Sequence, residues 1–422
     1  MNFATNAARR TLFTAAGLII GLVGVIRHVL HTDYPVDMII YREGVRAFME
    51  GRSVYSEPMY AGDLALPFIY PPFGALVMVP LTAFDWMSDA LAGDIMIVLS
   101  DALVFACLYA IFRALKVPHL WPTVAIAWAA AMFFEPIRLN NGFAQINIVI
   151  MALVIFDLVP RKRKLPQGWL IGLAAAIKIT PLAMLLYFLL RREWKPILTA
   201  FASAVVATLL AAAYRWEAFV EFFSSKLLDM GKGVDFGVAT DYQSNSSLKG
   251  VIQRLFTSQE AMDNHGTLIN MLWLVAALTV IGLGSALILA QMRRGLLVDA
   301  HLTTATTMLL ISPVSWSHHW VWLSLIVPVL VYRAWSWRNS TWVAGSLLAV
   351  LAAWVGMLLT VPPKWWFGDS IDVHAMPLYQ KFLVDDFVWL ALLSWILYAI
   401  CLKVKGTQSD KPHVALAAAQ TT

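Results

Sequence analysis

Residues 33–51 of this chain read Asp33-Tyr-Pro-Val-Asp37-Met-Ile-Ile-Tyr41-Arg42-Glu43-Gly-Val-Arg46-Ala-Phe48-Met-Glu50-Gly51, and charges first gather here, directly after the first hydrophobic segment. The spacing predicts an amphipathic helix with Asp37 at the N-cap, Gly51 as the stop and charged residues on one face. The other face carries residues spaced three and four apart, namely Met38, Tyr41, Val45 and Phe48. Such a helix is expected to lie along a membrane surface. Two interpretations of Asp37 remain open, a helix cap or a chemical group.

Composition places the chain among polytopic membrane proteins. Of its 422 residues, 60% are hydrophobic and only 14% are charged, and its mean hydropathy is +0.69; soluble domains carry about 25% charged residues. The net charge of +5 is better explained by basic cytoplasmic loops than by nucleic-acid binding, because Lys and Arg sit in short clusters between apolar runs. Cys107 and Cys401 both lie in apolar runs, so neither a disulfide framework nor a CxxC metal site is expected.

The distribution of charge among the loops predicts the topology. Arg9 and Arg10 precede an apolar run at 11–30, which has roughly the length that crosses a bilayer, and the loop at 31–67 that follows is acidic. The N-terminus is therefore expected in the cytoplasm and this loop outside. A second large outer loop is predicted at 215–266. The basic residues near the end of the chain place the C-terminus in the cytoplasm as well.

The apolar runs predict an all-α integral membrane protein of roughly 10–12 transmembrane or re-entrant helices. We expect one domain over 1–405 and a flexible cytoplasmic tail over 406–422. The proline-led segment at 66–84 is predicted to be re-entrant or interfacial. The segment at 165–190 is predicted to be a hairpin from the cytoplasmic side, broken near Lys178-Ile-Thr180-Pro181. Full spans are predicted near 95–112, 120–134, 143–159, 196–214, 267–291, 300–314, 319–335, 341–361 and 387–402.

The remaining polar residues concentrate at the outer ends of the predicted helices and in the outer loops. Ionisable groups are costly near hydrocarbon, so their convergence on one side predicts a functional site facing the outside. The set comprises Asp33, Asp37, Arg138, Asn140, Asn141, Gln145, Asn147, the run 241–249, Arg254 and the run 312–322.

Several short motifs follow one another along the chain. They are Asp37-x-x-x-Tyr41, Gly51-x-x-x-Tyr55, Tyr70-Pro71-Pro72, Asn141-Gly142-x-x-Gln145-x-Asn147, Gly172-Leu-Ala-Ala-Ala-Ile-Lys178-x-Thr180-Pro181, Ser246-Ser247-Leu248-Lys249-Gly250 and Ser312-Pro313-x-Ser315-Trp316-x-His318-His319-x-Val-Trp322. In this order they resemble glycosyltransferase family 87, the integral-membrane enzymes of the GT-C class that include polyprenol-phosphate-mannose-dependent α-1,2-mannosyltransferases. The resemblance covers about residues 35–335, and the motifs are specific together, although each alone is weak.

The resemblance implies an inverting transfer of mannose from polyprenyl-phosphate-mannose at the outer leaflet to a hydroxyl of a phosphatidylinositol mannoside or lipomannan. Such a reaction needs one base near the acceptor hydroxyl, and Asp37 fits by position and by resemblance. It needs no acid, because the departing phosphate already carries charge. Neither a cofactor nor a metal is expected. The partners are the lipid-linked donor, the glycolipid acceptor and the bilayer.

The other candidate residues fall into two groups. Charge on the leaving phosphate has to be neutralised by fixed donors, and the candidates for this are His318, His319, Lys178 and Arg138. The candidates for binding the sugars or the lipid are Tyr41, Tyr70, Asn141, Gln145, Asn147, Asn245, Ser247, Lys249, Arg254 and Trp316.

Alternatives stay open for several of these residues. Asp33 is a second candidate for the base, and the pair His318-His319 is also typical of an interfacial position among belt tryptophans. Lys178 could instead satisfy carbonyls at a broken hairpin. The alternative for Asn245, Ser247, Lys249 and Arg254 is that they serve only to order the outer loop. At the level of function, a family member that transfers arabinofuranose and a lipid transporter remain alternatives; a transporter would place its ionisable groups near the bilayer midplane.

Overall fold

The computed structural model describes residues 3–32, 34–159, 163–227 and 237–405. Asp33 and the predicted tail at 406–422 lie outside these ranges. The first half of the described chain is built from α1 Phe3–Leu30, α2 Val36–Glu50, α3 Pro72–Met78, α4 Asp89–Ala114, α5 Leu120–Ala131, α6 Glu135–Gly142, α7 Asn147–Leu158, α8 Trp169–Ile177, α9 Leu185–Arg191, α10 Trp194–Tyr214 and α11 Trp216–Glu221. The second half contains α12 Leu248–Arg254, α13 Gln259–Asn264, α14 Gly266–Met292, α15 Leu297–Ile311, α16 Leu323–Ser336, α17 Thr341–Leu359, α18 Leu378–Val384 and α19 Asp386–Lys405.

Minor elements connect the helices. Short 3-10 segments lie at Val79–Leu81, Thr180–Met184, Ser317–Trp322 and Pro363–Trp365, and a π-helical turn lies at Phe222–Lys226. Strands β1 (Met59–Ala61) and β2 (Leu64–Leu66) pair antiparallel, with Ala61 opposite Leu64. The all-α integral-membrane class predicted from the sequence is confirmed, and the architecture is consistent with a GT-C glycosyltransferase fold.

Six helices within the described ranges are long and apolar enough to cross a membrane, and α5 with α6 forms a further candidate that bends by 65°. Four shorter apolar helices, Pro72–Leu81, Asn147–Leu158, Thr180–Arg191 and Leu297–Ile311, occupy places where the sequence predicts spans or re-entrant segments. The number of crossings stays a prediction. The six long helices cover Ala7–Leu30, Asp89–Ala114, Trp194–Tyr214, Gly266–Met292, Thr341–Trp365 and Asp386–Val404.

Both irregular segments lie where the sequence placed them. α3 begins at Pro72, where the missing proline N–H costs nothing because the first turn of a helix leaves it unpaired. The predicted break near Lys178 is confirmed, because α8 stops at Ile177 and Lys178 is extended, with φ −150° and ψ 129°. Pro181 then lies in the first turn of the 3-10 segment.

The predicted N-cap of α2 is wrong. The helix begins at Val36, its N-cap is Pro35, and no side chain caps it; Asp37 is the second helical residue, so its carboxylate is free for another partner. The predicted apolar face is confirmed, since its four residues are all buried, and Gly51 ends the helix with φ 82°. One charge departs from the exposed face, because Arg42 is buried and its guanidinium donates to Asp89 and to the backbone oxygen of Met87.

The described residues form two compact units. The described residues of the first lie within Met1–Leu185, Glu193–Tyr242 and Ser317–Ser324, and those of the second lie within Leu186–Arg192, Gln243–Trp316 and Leu325–Thr422. The one-domain organisation expected for 1–405 stays a prediction.

Close helix packing in the first unit depends on glycines of α1. A Cβ on Gly17 would lie 2.7 Å from the backbone of Ala125, and one on Gly21 would lie 2.2 Å from the ring of Trp128. Small residues at such spacing let two membrane helices approach closely, so α1 packs directly on α5.

A buried ionic cluster joins helices of the second unit. The guanidinium of Arg333 on α16 donates to Asp299 on α15 at 2.6 and 2.9 Å, and the hydroxyl of Tyr398 on α19 donates to the same carboxylate at 2.6 Å. A buried charge is costly unless it is paired, so these bonds tie the three helices together.

Candidate active site

The first unit brings eight of the predicted site residues together, beginning with Asp37 on the first turn of α2. The Nε2 of Gln145 donates to Asp37 Oδ2 at 2.5 Å. The side chain of Asp37 is half-buried. The carboxylate therefore has one fixed partner and retains an exposed fraction that a substrate hydroxyl can reach.

The turn between α6 and α7 fixes the orientation of Gln145. Ala144 N–H donates to the carbonyl of Asn141 and Gln145 N–H to that of Asn140, each at 2.9 Å. This is the Schellman arrangement of a helix end, in which glycine usually takes the left-handed position. Here Ala144 takes it with φ 52°. An alanine in this conformation costs about 1 kcal/mol, and the strain lies next to the residue that holds Asp37.

Two phenols determine which end of the Gln145 amide faces Asp37. The hydroxyls of Tyr41, on α2, and of Tyr70 are 2.8 Å apart. Both contact Gln145 Oε1, Tyr70 at 3.2 Å. Because the amide oxygen can only accept, its NH₂ group must be the end that points toward Asp37.

A cationic group lies beside the carboxylate. Lys178, in the extended break after α8, donates from Nζ to Asn147 Oδ1 at 3.0 Å and lies 3.2 Å from His319 Nε2. Its Nζ is also 5.6 Å from the centroid of the Tyr70 ring. The lysine is half-buried, so its charge is only partly screened by solvent.

His318 lies one residue before His319 and is buried. Its ring packs edge-on against Phe143 and against His319, with centroid distances of 5.4 and 4.9 Å, and its backbone oxygen accepts from Asn147 Nδ2 at 3.5 Å. Within the described ranges, no group bonds to its Nε2. A buried polar atom without a partner is unusual, so His318 is available to a ligand.

The environment raises the pKa of Asp37 to about 6. Burial is the main cause, because it disfavours the charged carboxylate, while the bond from Gln145 and the charge of Lys178 act in the opposite direction. A carboxylate with this pKa is mostly ionised at pH 7 and is more basic than an ordinary aspartate. Both properties suit a general base.

Two candidates of the first unit have other surroundings. Asn141 donates from Nδ2 to Asp101 Oδ1 at 2.7 Å and lies 2.8 Å from His28 Nδ1, so it belongs to a buried polar cluster behind the site. Arg138 is half-buried one turn earlier on α6.

The remaining candidates lie in the second unit. Asn245 donates to the carbonyl of Pro313 at 3.2 Å, accepts from Ser315 N–H at 2.8 Å and pairs with Trp316 in an isolated bridge. Ser247 caps α12 and donates to Pro313 at 3.2 Å. These bonds fasten residues 245–247 to 313–316.

Two basic candidates flank that junction. The guanidinium of Arg254 is fully buried and donates to Asp385 Oδ1 at 2.8 Å through Nε and to the carbonyl of Asn245 at 2.8 Å. Lys249 lies 5.4 Å from the Trp273 ring. Through these contacts all five candidates of the second unit take part in ordering the outer loop. They are Asn245, Ser247, Lys249, Arg254 and Trp316, and their substrate-binding role stays a prediction.

Sequence reasoning missed His28, Asp101 and the structural part played by Asn140. His28 and Asp101 lie on α1 and α4, 73 residues apart, and no motif joins them. The available signal was an ionisable residue inside an apolar run, which is costly and usually has a purpose.

Within the part of the chain that the structure describes, no group of three or more His, Cys, Asp or Glu side chains is placed to hold a metal ion. A metal-free reaction stays a prediction.

Comparison with known proteins agrees with the resemblance seen in the motifs. The profile of glycosyltransferase family 87 matches residues 68–313. No solved structure matches the chain.

Three curated relatives bear on the function. The chain is 35% identical over 419 residues to the polyprenol-phosphate-mannose-dependent alpha-(1-2)-phosphatidylinositol mannoside mannosyltransferase of Mycolicibacterium smegmatis, covering 91% of this chain and 89% of the relative. It is 33% identical over 420 residues to the enzyme of the same name from Mycobacterium tuberculosis, covering 94% and 91%. An alpha-(1->3)-arabinofuranosyltransferase of Corynebacterium glutamicum matches at 27% identity over 223 residues, covering 51% of this chain and 49% of that protein. Because the family profile covers more than half of the chain and the first two relatives match over nearly their full length, this multi-pass membrane protein belongs to glycosyltransferase family 87.

Proposed function

We propose that the protein transfers mannose from polyprenyl-phosphate-mannose to a hydroxyl of a phosphatidylinositol mannoside and forms an α-1,2 bond with inversion. The observation that carries the proposal is the Asp37–Gln145–Lys178 arrangement, a carboxylate and a cation set side by side, in a chain whose nearly full-length matches are enzymes named for this activity. The arabinofuranosyltransferase matches only about half of the chain. The comparison of coverages therefore favours mannose over arabinofuranose as the donor sugar.

Asp37 acts as the general base in this proposal. The acceptor oxygen attacks the anomeric carbon of mannose, its proton passes to the Asp37 carboxylate, and the bond from that carbon to the phosphate oxygen breaks. Polyprenyl phosphate leaves with the electron pair. A positioned base contributes roughly 10²–10⁴-fold to such a rate.

Lys178, His319 and His318 stabilise the departing phosphate. Lys178 and His319 lie within 3.2 Å of each other and offer N–H donors near the developing charge, where fixed donors are effective because they need no reorganisation. His318 adds a buried ring nitrogen that has no other partner within the described residues. Tyr41 and Tyr70 orient the Gln145 amide, which holds the Asp37 carboxylate in position.

The site is proposed to face the outside, with both termini in the cytoplasm. Support comes from the loop charges, since basic clusters at Arg9/Arg10 and at 161–164 alternate with the acidic loop at 31–67. The lipid-linked donor would then reach the site from the outer leaflet.

The test is transfer of labelled mannose from polyprenyl-phosphate-mannose to phosphatidylinositol mannoside in membranes that contain Asp37→Asn. We expect turnover per folded protein to fall by about 100-fold or more, because the amide cannot accept the proton. Asp63→Asn is the matched control, since Asp63 lies exposed in the turn between β1 and β2 of the same loop, and it should retain full activity. Near wild-type transfer by Asp37→Asn would overturn the assignment of Asp37 as the base, and absence of transfer by the wild-type protein would overturn the proposed function.

A further inference from the structure

A buried polar cluster lies behind the candidate site in the first unit. It joins His28 at the end of α1, Asp101 in the middle of α4 and Asn141 on α6, with exposed fractions of 7%, 0% and 1%. A carboxyl group inside an apolar membrane helix is costly, and such groups usually serve a function.

The geometry assigns a role to each member. Asp101 Oδ2 is 2.9 Å from His28 Nδ1, and Asp101 Oδ1 accepts from Asn141 Nδ2 at 2.7 Å. A carboxylate can only accept, so this pairing assigns the proton to His28 Nδ1. The Asn141 amide, whose Nδ2 lies 2.8 Å from the same nitrogen, then donates to Asp101 and not to the imidazole. The backbone oxygen of Asp101 accepts from Trp128 Nε1 at 2.9 Å, which also anchors this turn of α4 to α5.

A relay of amides leads from the cluster to the reacting groups. Asn140 Nδ2 donates to Asn141 Oδ1 and to the backbone oxygen of Gln145, each at 3.3 Å. Asn140 Oδ1 accepts from Asn147 Nδ2 at 3.3 Å, and Asn147 in turn accepts from Lys178. The cluster thus bonds to the turn whose two ends hold the base and the cation.

We propose that the His28–Asp101 pair is a positioning device, which locks Asn141 and the turn at 140–147 and so holds the Gln145 amide against Asp37 and the Asn147 amide against Lys178. This inference rests on the proposed function of Asp37. The competing account is that the pair only fastens α1 to α4. That account predicts a loss of folded protein that is independent of Gln145.

The test is a double-mutant cycle between Asp101→Leu and Gln145→Ala, measured as kcat and KM for mannose transfer. We expect Asp101→Leu alone to lower kcat by about tenfold or more with KM nearly unchanged. When Gln145 is already alanine, the same substitution should cost clearly less, because only the contact between Asn147 and Lys178 is then left for it to disturb. His28→Leu should behave in the same way. His28→Asn should recover most of the activity, because its amide N–H can take the place of Nδ1–H.

A pH profile adds a readout that a purely structural role would not move. The Gln145 bond lowers the pKa of Asp37, so Asp101→Leu and Gln145→Ala should both shift the acid limb of kcat to higher pH, while the other groups facing the carboxylate (Lys178, Tyr41 and Tyr70) stay in place. Ser100→Ala is the control, since Ser100 is the equally buried neighbour of Asp101 on α4, and its acid limb should not move.

The possible outcomes separate the two proposals. Multiplied losses in the double variant, or an unmoved acid limb in both Asp101→Leu and His28→Leu, would overturn the positioning role. If Asp101→Leu does not fold, the His28→Leu and His28→Asn pair decides the matter. Full activity of Asp37→Asn would instead overturn the role of Asp37 as the base, and absence of mannose transfer by the wild-type protein would overturn the proposed function itself.

Discussion

Replacing Gln145 by glutamate tests the base directly, because it keeps the size of the side chain and replaces the amide that donates to Asp37 with a charged carboxylate. The new carboxylate keeps an oxygen for the phenols of Tyr41 and Tyr70 but places a negative charge beside Asp37, where the present contact is 2.5 Å. Two unit charges 4 Å apart near a protein surface repel by about 4 kcal/mol, or about three pKa units. Because Asp37 is half exposed, solvent screening reduces this, and we expect a rise of about two units in the apparent pKa of the pair.

The sign of the effect on rate follows from the role of a base. With a pKa of about 6, Asp37 is roughly nine-tenths ionised at pH 7; with a pKa of about 8 it would be roughly one-tenth ionised. Gln145→Glu should therefore transfer mannose about tenfold more slowly than wild type at pH 7, and its rate relative to wild type at the same pH should recover most of that loss by pH 9. The assay is transfer of labelled mannose per folded protein across pH 5.5–9.5.

The control for this experiment is the same substitution at Gln259. That residue is exposed on α13 and donates to Asp263 at 3.1 Å, so Gln259→Glu also creates a carboxyl pair, but away from the site and in solvent. It should leave the profile unchanged. A profile of Gln145→Glu with the wild-type acid limb, or a loss that is the same at every pH, would refute the reasoning.

Two further predictions concern the turn and the topology. Ala144→Gly should raise the free energy of unfolding by up to about 1 kcal/mol, since glycine adopts φ 52° without strain. Ala144→Val should lower the free energy of unfolding by more than about 1 kcal/mol and reduce transfer. Thermal unfolding in detergent measures both changes, and a Val variant more stable than wild type would contradict this account. An impermeant thiol reagent applied to intact cells should label Glu57→Cys but not Lys164→Cys, because these exposed positions are predicted on opposite sides of the membrane. Background labelling should be low, since Cys107 and Cys401 are buried. The reverse labelling pattern would contradict the predicted topology.

The sequence predicted the helices well because their signals are local. Apolar runs, prolines and glycines fix where a membrane helix starts and stops, so both the proline-led start at Pro72 and the break at Lys178 were found. The sequence prediction placed the start of α2 only slightly wrong, but the error changed the partner expected for Asp37. Placing Asp37 at the N-cap assigned its carboxylate to the helix backbone, whereas as the second helical residue it bonds to Gln145.

The site was only partly accessible from sequence because its bonds are long-range. Asp37 and Gln145 are 108 residues apart, and Lys178 and His319 are 141 apart, so only the family motifs indicated that they meet. No motif included Asp101 or His28. The His28–Asp101 pair acts through a neighbouring turn, and no sequence spacing is typical of such a pair. It is recognised only from the packing of α1 and α4 on α6.

The two charged groups of the site come from helix ends of opposite polarity. Asp37 lies in the first turn of α2, where the backbone N–H groups and the helix dipole favour a negative charge, and Lys178 follows the last residue of α8, where the unpaired carbonyls favour a positive one. Each helix end contributes roughly 0.3–1 kcal/mol to the charge beside it. A half-buried site that must keep a carboxylate and an ammonium ionised, while leaving both free for substrate, cannot rely on a tight ion pair between them, because the pair would consume the groups that react. Helix ends stabilise each charge without occupying it, which gives a physical reason for Lys178 to follow the end of α8 rather than to lie within a helix.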